Sequence, residues 1–137
     1  MTRTTILFSL LLSLSGCGSP REAKYASLGL VEVSGKVTLD DAPLPNANVA
    51  FENPETMTFS VGKTDESGRY KLMFNSEKSG CTPGKKIVRI TPYMGSESDA
   101  EAVPSDAKIP ARYGKKSELT ADVDASKTSF DFALSSK

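Results

Sequence analysis

Few residues in this chain have the types and spacing of a catalytic or metal-binding site. The 137-residue sequence contains no His, which removes the commonest general base and the commonest metal ligand. Without His, a serine nucleophile needs a lysine base, yet no Ser-x-x-Lys motif begins a predicted helix and Ser76-Glu77-Lys78 lies in a loop. Among the 17 acidic residues, the candidates for a weak Ca²⁺ site are four hard oxygen ligands in turns, Asp40, Asp41, Asp65 and Glu66, but their spacing is not that of an EF-hand and acids of this kind commonly cap turns. The sequence therefore predicts no enzymatic activity, no metal site and no cofactor.

The most specific chemical signal lies near the N-terminus. Arg3 supplies a positive charge, and residues 6–14 form an apolar run that is too short to span a bilayer, as in a secretion signal. Leu14-Ser15-Gly16-Cys17 then resembles the lipobox of bacterial lipoproteins. This resemblance implies cleavage before Cys17, a diacylglyceryl group on its sulfur and a stable membrane anchor facing away from the cytoplasm. The alternative is an ordinary secreted protein that is cleaved before a structural Cys.

The segment after the lipobox predicts a tether between the membrane and a folded domain. Residues 18–28 are small and polar without sustained periodicity. In the lipoproteins that this sequence resembles, an Asp directly after the lipidated Cys favours retention in the inner membrane. Gly18 occupies that position here, so the resemblance implies an outer-membrane location. We therefore divide the chain into a signal peptide (1–16), a lipidated Cys with its tether (17–30) and one domain (31–134).

The second cysteine is left without a partner by this interpretation. Once Cys17 is a thioether, Cys81 has no disulfide partner in the chain. Gly80 and Pro83-Gly84 around it indicate a turn, so we expect the thiol to be partly exposed. The alternatives are a thiol buried as a small hydrophobic residue and one paired between molecules, and we favour an incidental Cys81 over a functional one.

The domain consists of short segments with period-2 alternation separated by turn residues, and no segment has a helical period. Phe59 to Phe74 indicates a β-hairpin with a turn at Asp65–Gly68, and we expect Val88 and Ile90 to point inward. Gly35 interrupts an apolar face, which indicates a bulge or close packing. Such a pattern predicts a seven-stranded antiparallel β-sandwich. The seven segments are Val31–Leu39, Ala47–Phe51, Phe59–Lys63, Tyr70–Phe74, Lys85–Thr91, Leu119–Val123 and Ser129–Leu134.

One connection, from Tyr93 to Glu118, is too long for a tight turn and is therefore a candidate binding loop. We expect its acidic half, around residues 96–101, to be mobile and its second half to dock through Ile109 and Tyr113. The alternative is a solvated basic loop with Tyr113 packed inward. The candidate binding residues are Arg112, Tyr113, Lys115 and Lys116.

Four turn and strand motifs together resemble the carboxypeptidase regulatory-like domain. They lie at residues 33–40, 43–49, 64–70 and 83–85, and the resemblance covers about residues 31–134. It implies a transthyretin-like Greek-key sandwich of the kind found in small lipoproteins of planctomycete-type bacteria. Lys86 departs from the pattern, since an aromatic residue often stands there. These motifs mark turns and carry no catalytic signature, so they imply a fold and no activity.

The balanced charge, 17 basic against 17 acidic residues, offers no field that favours nucleic acid. The function predicted is a lipid-anchored binding or scaffolding sandwich in the bacterial cell envelope, with a protein or polysaccharide partner. One alternative is a carbohydrate-binding module, although Trp is absent and only Tyr25, Tyr93 and Tyr113 lie outside the hairpin. The other is a subunit of an envelope assembly that pairs through a sheet edge.

Overall fold

The computed structural model of the protein describes residues 25–95 and 108–137. The predicted signal peptide, Cys17 and the acidic half of the long connection lie outside these residues. The regular elements of the described part are β-strands joined by loops, with one short 3₁₀ turn at Ala111–Tyr113. Its strands are β1 (Ser34–Leu39), β2 (Ala42–Pro43), β3 (Ala47–Glu52), β4 (Phe59–Lys63), β5 (Arg69–Lys71), β6 (Gly84–Pro92), β7 (Thr120–Val123) and β8 (Phe132–Leu134).

Two sheets pack against each other, which confirms the predicted all-β sandwich. One sheet has the order β4-β3-β6-β7 and is antiparallel throughout. In the other sheet β1 is central: it pairs with β5 through its first half, with β2 through its last two residues, and with β8. The β1–β8 pair is parallel, so the prediction of a wholly antiparallel sandwich is wrong at this edge. Each of the seven predicted segments overlaps one strand, although β1, β5 and β8 are shorter than predicted, and the two-residue β2 lies inside a stretch expected to be turn.

The core lies between the sheets and follows the predicted alternation in most strands. In β3 the buried residues are Ala47, Val49 and Phe51, because successive side chains of a strand point to opposite faces. Val88 and Ile90 on β6 are fully buried, as the sequence predicts. The Phe51 ring is at the centre of an aromatic group, with centroid distances of 5.6 Å to Phe130, 6.1 Å to Phe132 and 6.4 Å to Tyr70.

The predicted hairpin from Phe59 to Phe74 differs from expectation because its two arms belong to different sheets. The tip is closed by the Asp65 N–H, which donates to the Arg69 carbonyl at 2.8 Å. Further back, Val61 and Met73 exchange two backbone hydrogen bonds of 3.0 and 2.9 Å. Between these points β4 pairs with β3 and β5 pairs with β1. The hairpin therefore joins the two layers along one side of the sandwich.

Gly35 is required by close packing within the β1 layer, one of the two possibilities that the sequence left open. A Cβ at this position would lie 1.8 Å from the Phe130 carbonyl oxygen and 2.9 Å from the Tyr70 hydroxyl. The missing side chain allows the Tyr70 hydroxyl to reach across β1 and donate to the Phe130 carbonyl at 2.6 Å. One glycine thus makes room for a hydrogen bond that links β5 to the segment before β8.

Residues that begin the described chain contact the sandwich. The rings of Tyr25 and Phe74 meet edge to face with centroids 6.3 Å apart. Asn75 Nδ2 donates to the Tyr25 hydroxyl at 2.9 Å, and Val31 pairs with Cys81 through two backbone hydrogen bonds of 2.8 Å. The last part of the segment assigned to the tether is therefore docked from Tyr25 onward.

Candidate binding surfaces

The second half of the long connection is fixed to the outer face of the β4-β3-β6-β7 sheet. Arg89 on β6 donates from Nη1 to the carbonyls of Gly114 and Lys115, both at 3.0 Å, and from Nε to Glu52 at 2.8 Å. Ile109 and Tyr113 pack against the core, which confirms the predicted docking. The loop is consequently a rigid part of the surface.

Two of the four candidate binding residues hold the end of the described chain. Arg112 Nη2 donates to the carbonyls of Ser135 and Lys137, and its guanidinium lies 4.9 Å from the centre of the Tyr113 ring. The Tyr113 hydroxyl accepts a 3.1 Å hydrogen bond from the Ser135 N–H, and this bond together with Arg112 lowers the pKa of Tyr113. The side chains of Arg112 and Tyr113 are thus engaged within the fold.

Asp40 anchors the same C-terminal residues from the other side. Its carboxylate accepts hydrogen bonds from the Ser136 hydroxyl at 2.5 Å and the Ser136 N–H at 3.0 Å, and these bonds lower the pKa of Asp40. Lys115 and Lys116 are exposed, and the binding role of all four predicted residues stays a prediction.

A second surface, which sequence reasoning missed, lies at the free edge of β4. The β4 surface, as we call it, comprises Phe59, Val61, Met73 and Phe74, and it lines a groove of about 670 Å³ together with Asn75 and Ser76. Phe59 is 63% exposed and Met73 is 39% exposed, and Met57, two residues before Phe59, is 73% exposed. Large apolar side chains exposed next to one another are typical of an interaction site.

The β4 surface exists because the larger side chains of β4 lie on the outer face of the strand. Ser60 and Gly62 are the buried residues of the strand, whereas Phe59 and Lys63 are exposed. A Cβ on Gly62 would lie 2.6 Å from the Lys71 carbonyl oxygen and 3.4 Å from the Tyr70 ring. Because β5 and the Tyr70 ring approach so closely, only small side chains fit on the inner face of β4.

The backbone of β4 is partly unpaired at the same place. Thr58 and Thr64, which flank β4, form backbone hydrogen bonds with Asn53 and Ala47 on the β3 side. In an antiparallel ladder the N–H and carbonyl groups of successive residues point to alternate sides, so those of Phe59, Val61 and Lys63 point away from β3. The N–H and carbonyl groups of Val61 are hydrogen-bonded to the backbone of Met73. The peptide groups of Phe59 therefore point outward at the sheet edge beside the groove.

Comparison with known proteins identifies no relative. No protein-family model matches the sequence, and neither the curated proteins nor the solved structures include a similar protein. The function must therefore be inferred from the surfaces themselves.

The buried polar residues do not form a reactive site. Lys86 is 1% exposed, and its ammonium group donates to Thr82 Oγ1 at 3.0 Å and the Pro83 carbonyl at 3.1 Å. Burial lowers the pKa of Lys86 and raises that of Cys81, although a hydrogen bond with Ser60 partly opposes the Cys81 shift. A buried thiol with a raised pKa has little thiolate and is unreactive.

The predicted partial exposure of Cys81 is wrong, since its side chain is only 1% exposed. Its turn-like neighbours are real, but the backbone pairing with Val31 places the side chain inside the sandwich. Lys86 likewise fills a core position with its aliphatic chain while its charged end reaches the nearby loop.

Within the described ranges, no cluster of His, Cys, Asp and Glu could hold a metal ion. Among the same residues, no helix has the length and apolar character needed to cross a membrane. The three tyrosines of the carbohydrate-binding alternative contact different neighbours: Tyr25 packs on Phe74, Tyr113 binds Ser135, and the Tyr93 ring lies 4.2 Å below Lys63 Nζ.

Proposed function

We propose that this chain is a lipid-anchored β-sandwich on the extracytoplasmic side of a bacterial membrane, and that it acts by binding or scaffolding. In this proposal Cys17 carries the lipid and the outer membrane is its location. The sandwich has the transthyretin-like Greek-key arrangement of the carboxypeptidase regulatory-like domain, as the turn motifs imply. The polar residues buried in the described core, Ser60, Thr64 and Lys86, take part in internal hydrogen bonds, and this supports a role in binding over catalysis.

The observation that carries the proposal is the β4 surface. A phenylalanine side chain has roughly 200 Å² of surface, so the exposed part of Phe59 alone corresponds to about 3 kcal/mol of hydrophobic free energy that a partner can recover. The rigid sandwich holds this side chain beside Val61, Met73 and Phe74 without further ordering. Little conformational entropy is therefore lost on binding.

The test of the binding role is site-specific photocrosslinking in intact cells. A photoreactive amino acid replaces Phe59, and in a matched control it replaces Asp122, which is exposed on β7 at the opposite edge of the same sheet. We expect adducts at position 59 and none above background at position 122. Equal labelling at the two positions would contradict a binding surface at β4.

The anchor is tested separately by cell fractionation. We expect Cys17→Ala to move the protein from the membrane fraction to the soluble fraction, since the substitution removes the sulfur that would carry the lipid. A wild-type protein that is already soluble after lysis would show that the lipobox resemblance is misleading.

A structural subunit of an envelope assembly is the second candidate. The outward peptide groups of Phe59 favour it, because an added strand could pair with them. A protein adduct at position 59 would support this candidate, and charge reversal at Lys115 and Lys116 would test whether the basic loop contributes. The carbohydrate-binding alternative has less support, since its tyrosines form no common row, and a polysaccharide pull-down tests it.

A further inference from the structure

We propose that the partner of the β4 surface is the lipid bilayer in which Cys17 is anchored, so that the sandwich rests on the membrane along its β4 edge. This inference rests on the proposed lipid anchor and names the partner of the same surface. It follows from where the chain enters the fold, from the length of chain between that point and Cys17, and from the chemistry of the side chains.

The chain enters the fold at the rim of the β4 surface. Tyr25 packs against Phe74 and accepts a hydrogen bond from Asn75, and these two residues line the groove together with Phe59. Lys78 Nζ lies 5.9 Å from the centre of the Tyr25 ring and adds a further contact. The segment that leads back to Cys17 therefore leaves the sandwich beside the groove.

The distance from this point to the lipid is short. Cys17 precedes Tyr25 by eight residues, which span at most about 28 Å when fully extended. A sandwich tethered this close to lipid meets the bilayer surface at a high effective concentration, which favours a contact between the β4 surface and lipid.

The composition of the β4 surface suits the boundary between headgroups and acyl chains. Its side chains are two phenylalanines, a valine and a methionine, and none of the four carries a charge. The charged residues that follow its lining segments in the sequence are of mixed sign: Lys63 and Lys78 are basic and Glu77 is acidic. Apolar burial therefore dominates the contact, and we expect it to depend only weakly on anionic lipid.

The test uses the full lipoprotein, purified from cells and reconstituted into phosphatidylcholine vesicles. Cys17 is acylated and Cys81 is buried, so a cysteine introduced by Ser76→Cys is the only reactive thiol for an environment-sensitive dye. Position 76 lines the groove and leaves the four apolar residues unchanged. Asp122→Cys, labelled in the same way, is the matched control at the opposite edge of the sheet.

We expect lipids brominated on their acyl chains to quench the dye at position 76 and to leave the dye at position 122 unquenched. Adding Phe59→Glu should abolish the quenching at position 76 while the protein stays anchored, and Phe59→Leu should retain it. Because Phe59 is exposed, both variants should keep the thermal midpoint of the parent protein. Replacing a third of the phosphatidylcholine by phosphatidylglycerol should change the quenching little.

Equal quenching at positions 76 and 122 would overturn the proposal, and so would quenching at position 76 that survives Phe59→Glu. Cross-linking of position 76 to a second copy without quenching would assign the surface to a homodimer and also overturn it. These results leave the anchor itself intact. Failure of the anchor appears instead as a wild-type protein that carries no lipid and fractionates as soluble.

Discussion

Removal of the Tyr70 hydroxyl tests the packing around which the β1 layer is organised. Tyr70 is 4% exposed, and its hydroxyl donates to the Phe130 carbonyl at 2.6 Å across Gly35. In Tyr70→Phe this hydrogen bond is lost and a carbonyl oxygen remains in a buried site without the partner it had. Because the desolvation of such a group is not recovered, we expect a loss of about 1–3 kcal/mol in the free energy of unfolding.

Chemical denaturation and thermal melting measure this loss. For a domain of this size, 2 kcal/mol corresponds to a decrease of roughly 5–10 °C in Tm. The matched control is Tyr113→Phe, which removes the same atom from a site where the Ser135 N–H is exposed and water can replace the hydroxyl. We expect the control to change the free energy of unfolding by no more than about 0.5 kcal/mol.

The pH dependence provides a second measure of the same site. Burial, with a smaller effect from the charge of Asp131, raises the pKa of Tyr70 well above its usual value, so the folded protein keeps the phenol protonated. An unfolded tyrosine ionises near pH 10. The contribution of Tyr70 is therefore fully present below about pH 10 and is lost as the pH rises above it.

We expect the difference in stability between the wild type and Tyr70→Phe to shrink as the pH rises above about 10. Cys81 also has a pKa raised by burial and loses its contribution at alkaline pH, but it does so equally in both proteins and cancels in the comparison. The reasoning is refuted if Tyr70→Phe costs no more than Tyr113→Phe, or if the two stability curves stay parallel at alkaline pH.

Three further substitutions test the turn and the packing. Gly35→Ala should lower the free energy of unfolding by about 3 kcal/mol or more, because the new Cβ would lie 1.8 Å from a backbone oxygen. Circular dichroism at increasing denaturant concentration measures this loss, and an unfolding midpoint close to that of the wild type would contradict the close packing. Lys86→Met should be neutral or stabilising by up to about 2 kcal/mol. Because burial lowers the pKa of Lys86 in the folded protein, the wild type gains stability as the pH rises through that pKa towards 10.5. The variant has no ammonium group at this position and should lack this gain. Asp65→Ala should lower the free energy of unfolding by about 1 kcal/mol, because Oδ1 accepts 2.9 Å hydrogen bonds from the Ser67 and Arg69 N–H groups. Asp65→Asn keeps an accepting oxygen and should therefore lose less stability than Asp65→Ala when both are unfolded in urea.

The sequence predicts those features of the fold that depend on local alternation. Val88 and Ile90 are buried because burial alternates along β6, with Lys86, Val88 and Ile90 on the inner face, as the period-2 pattern of the strand predicts. Ile109 and Tyr113 dock because they are the large apolar side chains in a polar loop. The partners of each strand are set by distant residues instead, so alternation near Phe59 could not predict that the hairpin arms enter different sheets.

The burial of residues at turns could not be predicted from their sequence neighbours either. Gly80 and Pro83-Gly84 correctly indicate a turn near Cys81, yet exposure depends on what lies above the turn. Val31, which lies fifty residues earlier in the chain, pairs with Cys81 in an antiparallel bridge beside this turn. The same limit applies to Arg112, whose carbonyl acceptors belong to residues more than twenty positions further along the sequence.

The β4 surface is best explained by an external contact, because the fold does not require its apolar character. Packing constrains the inner face of β4, where Ser60 is buried and β5 leaves no room for a Cβ at Gly62. It places no such demand on the outer face, as the exposed Lys63 on the same strand demonstrates. A threonine or lysine in place of Phe59 would satisfy the strand geometry and reduce the risk of aggregation at an open sheet edge. An apolar residue at that position therefore favours an external contact, and if Cys17 carries the proposed lipid, a bilayer held within about 28 Å is an apolar partner close at hand.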